Sequence, residues 1–221
     1  MTTSVFVTGA TGYIGSRLAA RLVARGHGVR ALVRHGSEGR LPPGVTPVSG
    51  NALDAASFAD AVRSEDTVVQ LVGTPHPGPA KAAQFRAVDL ASARATIENA
   101  ARARVRHFVY VSVAHPAPTM HAYIGARMEA ERLLRATGLA ATILRPWYVL
   151  GPGHWWPYTL LLMYWVAEKV PSLSEGARRL GLVTIDEMVS ALVVAVESGP
   201  DGMRVWGVPE IRRAREEGRR E

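Results

Sequence analysis

The segment Val5-Phe-Val-Thr-Gly-Ala-Thr-Gly-Tyr-Ile-Gly15 decides the fold, because an apolar run leads directly into three glycines spaced three residues apart. This pattern predicts a buried strand, a tight turn and the start of a helix. Gly9 would permit the turn, Gly12 would let a phosphate approach the backbone, and Gly15 would let the helix pack closely on the strand. We therefore expect a dinucleotide-binding turn, with the pyrophosphate at the helix N-terminus.

The residues around this turn supply the context that a glycine pattern needs. Residues 18–25 form an amphipathic segment, and residues 27–33 form a second apolar run. A strand, a glycine-rich turn, a helix and a second strand favour dinucleotide binding over the alternative, an ordinary glycine-rich connection. The residues expected to meet the cofactor here are Gly9, Thr11, Gly12, Tyr13, Ile14 and Gly15.

Apolar runs alternate with amphipathic segments along the rest of the chain. Strands are predicted at 5–8, 28–33, 45–49, 67–72, 106–112, 141–145 and 204–208, and helices at 13–25, 55–63, 82–103, 123–137 and 185–197. This alternation is typical of an α/β fold, namely a Rossmann-type doubly wound parallel sheet with helices on both faces and a small C-terminal helical cap. We expect one domain over residues 1–210, a cap at about 147–180, and a charged, disordered tail over 211–221.

Composition narrows the class of protein. With 221 residues, 48% of them hydrophobic, the chain suits a single well-buried domain. It has no cysteine, which excludes disulfides and thiolate metal sites and fits a reducing compartment. No pattern typical of a secretory leader precedes the first strand, so we expect a cytoplasmic protein. We also expect no metal site, because the chain has no cysteine, and His115 and His121 have no carboxylate at ligand spacing.

Charge and hydropathy argue against two other classes of protein. The net charge of +7 comes mainly from arginines scattered over the predicted helices, whereas a nucleic-acid binder needs a clustered basic face. Residues 146–167 lack charge but contain Pro146, Pro152 and Pro157, which leave too short an apolar helix to span a membrane. A buried lid and a membrane-surface contact through 155–167 stay open as alternatives.

Arg34 follows the second predicted strand, close to where the adenosine ribose of a bound dinucleotide would lie. A carboxylate at this position would bind the 2′-hydroxyl of NAD(H), whereas an arginine can pair with a 2′-phosphate. We therefore expect NADP(H) to be favoured and NAD(H) to be the alternative. The alternative is that Arg34 is a solvated surface residue without a role in cofactor binding.

Four motifs resemble the short-chain dehydrogenase/reductase superfamily in order and spacing. They are Thr8-Gly-Ala-Thr-Gly-Tyr-Ile-Gly15, Val109-Tyr-Val-Ser112, Tyr123-Ile-Gly-Ala-Arg127 and Leu144-Arg-Pro146. Together with Gly151-Pro-Gly153, they are similar to its extended and atypical branches. Those branches include NmrA-like proteins, NAD-dependent epimerases and dehydratases, and the dehydrogenase-like accessory subunit of respiratory complex I. The resemblance covers residues 5 to about 208.

The resemblance implies catalytic roles for Tyr123, Arg127 and Ser112. In the superfamily a Tyr-x-x-x-Lys pair performs acid–base chemistry, and the lysine also holds the nicotinamide ribose. Here Arg127 takes the lysine position, on the same helix face as Tyr123, where it can favour the phenolate and bind ribose. The usual catalytic hydroxyl position is occupied by Val113, and Ser112 could replace it only through a shift of the backbone.

The resemblance also implies further contacts by position. Asn51 and Ala52 would lie beside the adenine, Leu71, Val72 and Gly73 beside the ribose, and Pro146 near the nicotinamide. His115, His121 and His154 are weaker candidates for proton transfer, since loop histidines are more often structural. Trp147, Tyr148, Trp155 and Trp156 predict an apolar pocket, a partner surface or a stabilising cap.

Two functions remain open at this stage. One is an NADP(H)-dependent oxidoreductase or epimerase-like enzyme that acts on a hydrophobic small molecule. The other is a non-catalytic dinucleotide-binding sensor or assembly protein, which the departures at Val113 and Arg127 favour. Nucleic-acid binding comes third, and the sequence leaves both a monomer and a dimer open.

Overall fold

Nine strands form two parallel sheets in the residues that the computed structural model describes, 2–152 and 180–217. The strands are β1 (Ser4–Thr8), β2 (Gly28–Val33), β3 (Thr46–Ser49), β4 (Thr67–Gln70), β5 (His107–Val111), β6 (Ala141–Leu144), β7 (Tyr148–Leu150), β8 (Leu182–Thr184) and β9 (Met203–Trp206). The larger sheet has the order β3-β2-β1-β4-β5-β6-β9, and β7 pairs with β8 in the smaller one. The predicted doubly wound parallel sheet is confirmed.

Helices cover both faces of the larger sheet. They are α1 (Tyr13–Ala24), α2 (Ala82–Gln84), α3 (Ala91–Ala103), α4 (His121–Ala136), α5 (Ile185–Glu197) and α6 (Val208–Glu217). Apolar residues of α1, α5 and α6 pack on one face, and those of α3 and α4 pack on the other. This arrangement buries the central strands on both sides, as expected of parallel sheets.

The alternation of side chains along β1 explains how one short strand serves both cores. Val5 and Val7 point to the face covered by α1, while Phe6 points to the face covered by α3 and α4. β1 pairs with β2 on one side and with β4 on the other. The chain therefore reverses its direction of travel across the sheet between β1 and β4, which opens a crevice at their carboxyl ends.

Two predicted helices differ from the structure. The segment 55–63 forms a 3₁₀ helix over Ala55–Ala61, with a kink at Phe58, because Asp54 caps Ala56 and starts a tight turn. The segment 82–103 is interrupted by a π-helical turn over Phe85–Leu90, between α2 and α3. The amphipathic pattern identified both positions, but it did not predict these departures from α geometry.

The expected disordered tail also differs from the structure, since residues 211–217 continue helix α6. Ile211 is fully buried and Ala214 nearly so, and both belong to the core that α1 and α5 share. Arg212 donates hydrogen bonds to the carbonyl of Leu182 in β8. Burial of one apolar face holds this charged segment on the domain.

Most of the predicted cap lies outside the described residues, because these stop at 152 and resume at 180. Its first residues form β7, which pairs with β8 in a register that joins Tyr148 to Leu182. The predicted segment 155–167 also falls in that gap. Among the described residues no helix has the length and apolar character that crossing a membrane requires.

Candidate functional site

A cavity of about 380 Å³ opens at the carboxyl ends of β1, β2 and β4. Of the predicted cofactor residues, its lining includes Gly9, Thr11, Gly12, Arg34, Asn51, Ala52, Leu71, Val72 and Gly73. The other lining residues are Leu32, Val33, Ser37, Gly50, Leu53 and Val88, which the sequence analysis did not single out. Tyr13, Ile14, Gly15, Arg127 and Pro146 do not line the cavity.

The glycine-rich turn has little room for side chains. Gly9 has a φ of +81°, and a Cβ added there would lie 2.9 Å from the carbonyl carbon of Leu71. A Cβ at Gly15 would overlap the carbonyl oxygen of Gly9, because α1 packs directly against the turn. Gly12 is the N-cap of α1 and offers no side-chain cap, so the first amides of the helix are available to an anion.

Arg34 and Ser37 form the rim of the cavity beyond β2. Arg34 is exposed, and the backbone N–H of Ser37 donates to the Arg34 carbonyl oxygen at 3.0 Å. Arg40 lies beside the same rim, with its Nη2 atom 3.5 Å from the carbonyl oxygen of Thr11. Arg34 and Ser37 therefore line this end of the cavity, while Arg40 contacts the backbone of the glycine-rich turn.

Asn51 lies at the end of β3, and its side chain is engaged locally. Its Oδ1 atom accepts a hydrogen bond from the backbone N–H of Leu53 at 3.1 Å. Ser57 donates to the Asn51 carbonyl oxygen at 3.1 Å. These bonds shape the loop at the cavity and orient the amide.

Tyr123 lies in the first turns of α4 and is half-buried. Its ring packs against Phe85, with 5.0 Å between the ring centroids and an interplanar angle of 59°. The guanidinium carbon of Arg127 lies 5.2 Å from the Tyr123 ring centroid. The spacing of four residues thus brings the predicted pair together on one helix face.

Arg127 is buried and already holds hydrogen-bond partners. Its Nη2 atom lies 2.6 Å from Oδ1 of Asp89, and its Nη1 atom donates to the carbonyl oxygen of Val111 at 2.9 Å. Burial opposes the charge of Arg127, but Tyr123, Tyr110 and Asp89 outweigh burial and raise its pKa. In this arrangement Arg127 is a buried cation, and both of its Nη atoms have partners within the protein.

Ser112 does not fit the role of a substrate-facing hydroxyl. It is buried at the end of β5, and its hydroxyl donates to Oε1 of Glu131 at 2.6 Å. The backbone shift that would let Ser112 take the place of the usual catalytic hydroxyl is not seen, because the Ser112 hydroxyl is directed toward Glu131. Val113 is buried as well and supplies no hydroxyl.

Glu131 is the centre of a polar cluster that the sequence analysis missed. Besides the bond from Ser112, it accepts hydrogen bonds from Nε and Nη2 of Arg145, and Nε2 of His115 lies 3.6 Å from its Oε1 atom. Burial acts to raise the pKa of Glu131, but the hydrogen bonds from Arg145 and Ser112 lower it below its usual value. Burial and the charge of Arg145 lower the pKa of His115.

The spacing Tyr123, Arg127, Glu131 was a signal for this cluster, because residues four apart recur on one helix face. Asp89 could have been suspected as the one acid in the segment 82–97. Nothing in the spacing, however, indicated that a π-helical turn would direct Asp89 inward.

The remaining predicted residues are spread more widely. His121 is exposed at the start of α4, and Pro146 is buried, with its carbonyl oxygen accepting from the Ala114 amide at 2.9 Å. The rings of Trp147 and Tyr148 meet edge to face, with centroids 5.7 Å apart. His154, Trp155 and Trp156 lie outside the described residues.

Comparison with known proteins agrees with this geometry. A family model described as NAD(P)H-binding matches residues 9–152. A 3-diazoavenalumate denitrifying reductase from a Streptomyces species is 33% identical, over 90% of this chain and 73% of its own length. A 4-hydroxy-2-methyl-3-oxo-4-farnesyl-3,4-dihydroquinoline-1-oxide ketoreductase from Stigmatella aurantiaca is 24% identical, over 89% of this chain and 65% of its own length.

Solved structures extend the likeness to the whole fold. The enzyme WbmH of Bordetella bronchiseptica, in complex with NAD⁺, superposes with a TM-score of 0.70 at 23% identity, over 94% of this chain and 76% of the other. At this identity the likeness shows the fold alone. The family match and the glycine-rich turn carry the assignment: the chain belongs to the NAD(P)H-binding family.

Proposed function

We propose that this chain is an NADP(H)-dependent reductase of a hydrophobic small molecule, with Tyr123 as the proton donor. The observation that carries the proposal is the cavity at the glycine-rich turn, rimmed by Arg34 and Ser37. When bound, NADPH supplies a hydride, and the substrate carbonyl is reduced to an alcohol. The Tyr123 hydroxyl gives its proton to the carbonyl oxygen, and solvent restores that proton.

The preference for NADP(H) is supported by the charge at the rim. Arg34 lines the cavity beyond β2, where a 2′-phosphate would lie, and among the residues that line the cavity there is no carboxylate to pair with a 2′-hydroxyl or repel that phosphate. A guanidinium binds phosphate with two parallel hydrogen bonds, which a ribose hydroxyl does not offer.

The substrate class is supported by the aromatic side chains after β6 and by the relatives. Trp147 and Tyr148 offer half-buried apolar surface close to Pro146. The names of the two relatives describe a diazoavenalumate and a farnesylated dihydroquinoline oxide that carries a 3-oxo group. An aromatic or prenylated carbonyl compound is therefore the class to test first.

The cofactor proposal is tested by fluorescence titration of the protein with NADPH and NADH. We expect tighter NADPH binding, and Arg34→Asp should weaken it by roughly tenfold or more while changing NADH affinity by less than about threefold. Arg132→Asp is the matched control, because Arg132 is exposed on α4 and does not line the cavity. Equal affinities of the native protein for both cofactors would overturn the preference.

The catalytic proposal is tested on the same protein with a panel of quinones and aromatic carbonyls. Replacement of Tyr123 by Phe removes only the hydroxyl, and we expect turnover to fall by about 100-fold or more while NADPH affinity is kept. Unchanged turnover in that variant would remove Tyr123 from the mechanism.

A second function has specific observations in its favour. Ser112 is engaged by Glu131 and Arg127 by Asp89, so two residues of the usual catalytic set are held by other partners. This arrangement suits a dinucleotide-binding sensor or assembly protein without turnover. Tight NADPH binding by the native protein with no oxidation across the panel would favour this second function.

A further inference from the structure

The buried ion pair of Arg127 and Asp89 joins four separate parts of the chain. Oδ1 of Asp89 lies 2.6 Å from Nη2 of Arg127 in α4. Oδ2 accepts from the backbone N–H and the hydroxyl of Thr74, at 3.0 and 2.6 Å, in the loop after β4. Arg127 reaches Val111 at the end of β5 as well. A buried charge without its partner destabilises the folded protein, so the two side chains are expected to stay paired.

The π-helical turn over Phe85–Leu90 supplies both groups that fix the tyrosine. Phe85 packs on the Tyr123 ring, while Asp89, four residues later, holds Arg127 beside the same ring. A π-helical turn inserts an extra residue and redirects the side chains that follow, and such turns are frequent at functional sites. The π-helical turn therefore supplies both the aromatic ring that packs against Tyr123 and the counter-ion of the guanidinium beside it.

Gly73 shows that the guanidinium lies against the wall of the cofactor cavity. Gly73 lines the cavity, and a Cβ added there would overlap Nη2 of Arg127 and lie 3.1 Å from Oδ1 of Asp89. The ion pair thus occupies the space directly behind the backbone that faces the cofactor. Its position is tied to both the cavity and the tyrosine.

We propose that Asp89 is a positioning residue, whose carboxylate fixes the Arg127 guanidinium against Tyr123 and behind Gly73 and so sets the charge that the Tyr123 hydroxyl experiences. The inference rests on the proposed function, in which Tyr123 transfers a proton. The charged and titratable groups at this point are Asp89 from the π-helical turn, Tyr110 from β5, and Arg127 and Tyr123 from α4, with Glu131 one turn further along α4.

The test is a spectroscopic pH titration of tyrosinate in the full chain. The signal of Tyr123 is isolated by subtracting the titration of the matching Tyr123→Phe protein. Asp89→Asn keeps an acceptor oxygen for Nη2 of Arg127 but removes the negative charge, so the guanidinium stays beside Tyr123 without its counter-ion. We therefore expect Tyr123 to ionise about one pH unit lower than in the native protein. Glu129→Gln is the control, because it removes one carboxylate from the outer face of α4, where Glu129 meets Arg86 and Arg94. Its curve should match the native one.

A double variant covers the case in which Asp89→Asn does not fold. Asp89→Asn with Arg127→Gln removes both charges and leaves no unpaired buried ion. Because the guanidinium lies closest to the ring, we expect Tyr123 to ionise at higher pH than in the native protein. A folded single or double variant that titrates like the native protein would overturn the proposal and leave Asp89 a purely structural residue.

The two proposals fail in different ways. The titration needs neither cofactor nor substrate, so its outcome stands whether or not turnover is found. Equal binding of NADPH and NADH, or turnover that survives Tyr123→Phe, would count against the proposed function and leave the tyrosinate shift intact. An unmoved tyrosinate curve in an enzyme that still depends on Tyr123 would count against Asp89 alone.

Discussion

At the scale of single residues, we expect Gly15 in the first turn to matter mainly for stability and Gly12 mainly for cofactor binding. A Cβ at Gly15 would overlap the carbonyl oxygen of Gly9, whereas a Cβ at Gly12 would lie 3.2 Å from that same oxygen. We expect Gly15→Ala to lower the free energy of unfolding by roughly 2 kcal/mol or more, since the backbone must shift.

Gly12→Ala is the paired variant. It should cost less stability but weaken NADPH binding at least tenfold, because its methyl group would face the pyrophosphate. Urea unfolding and cofactor titration of both variants measure these effects. Equal losses of stability would contradict the packing of α1 against the turn.

His107 makes stability depend on pH. It is fully buried, and its Nε2 atom lies 3.0 Å from the hydroxyl oxygen of Thr142. Burial, with the charges of Arg204 and Arg106, lowers its pKa to about 4 from 6.5. Between these values the unfolded chain binds a proton that the folded chain does not, so stability is lost as pH falls from about 6.5 to about 4.

The free energy of unfolding should fall by at most roughly 3 kcal/mol because of this residue, since each unit by which its pKa is lowered corresponds to about 1.4 kcal/mol. His107→Gln should remove that part of the slope. His35→Gln should keep it, because the His35 side chain is 97% exposed. The test is to measure the free energy of unfolding of all three proteins at pH 7 and pH 4.5. If His107→Gln lost as much stability between these pH values as the native protein, the pH dependence could not be assigned to His107.

The residues of the site could be predicted from the sequence only where a local motif carries them. The three glycines and Arg34 follow from their positions around the first turn and the second strand, and the pair of Tyr123 and Arg127 follows from the family resemblance. The four-residue spacing places Glu131 on the same helix face, but the partners of Asp89 and Glu131 could not be predicted, because they lie far away in the chain. Pairing across the tertiary structure leaves no regular spacing in one sequence.

At the scale of elements, helix α5 begins with a capping box at Thr184 and Glu187. The Thr184 hydroxyl accepts from the Glu187 amide at 3.2 Å, and the Glu187 carboxylate accepts from the Thr184 amide at 2.6 Å. We expect Thr184→Ala to lower the free energy of unfolding by about 1 kcal/mol, and Thr184→Ser to lower it by much less. Equal effects in urea unfolding would show that the methyl group, not the cap, matters.

Element boundaries were predicted well where hydrophobic periodicity is strong. Residues 28–33 and 185–197 agree with β2 and α5 at both ends. The π-helical turn was not predictable, because an inserted residue changes the phase of a helix without changing its composition. β7 and β8 were missed since three-residue strands carry almost no pattern of their own.

At the scale of the whole molecule, α6 should be part of the cooperative core. Ile211 is fully buried, while the side chain of Arg213, two residues later, is 68% exposed. Ile211→Ala should cost about 2–4 kcal/mol of unfolding free energy, and Arg213→Ala less than about 0.5. Calorimetry of the two variants distinguishes a docked helix from the disordered tail that composition predicts. A small effect at Ile211 would favour the tail.

The order of strands in the larger sheet has a consequence for how the chain reaches this structure. β6 pairs with β5 on one side and with β9 on the other, and residues 145–202 lie between β6 and β9 in the chain. Bringing together strands separated by so long a chain segment is slow compared with local pairing. Until β9 arrives, the outer edge of β6 presents unpaired backbone groups that a second chain could bind. Intermolecular association during folding should therefore compete with completion of the sheet, and the timing of one late strand would decide how much of the chain becomes native.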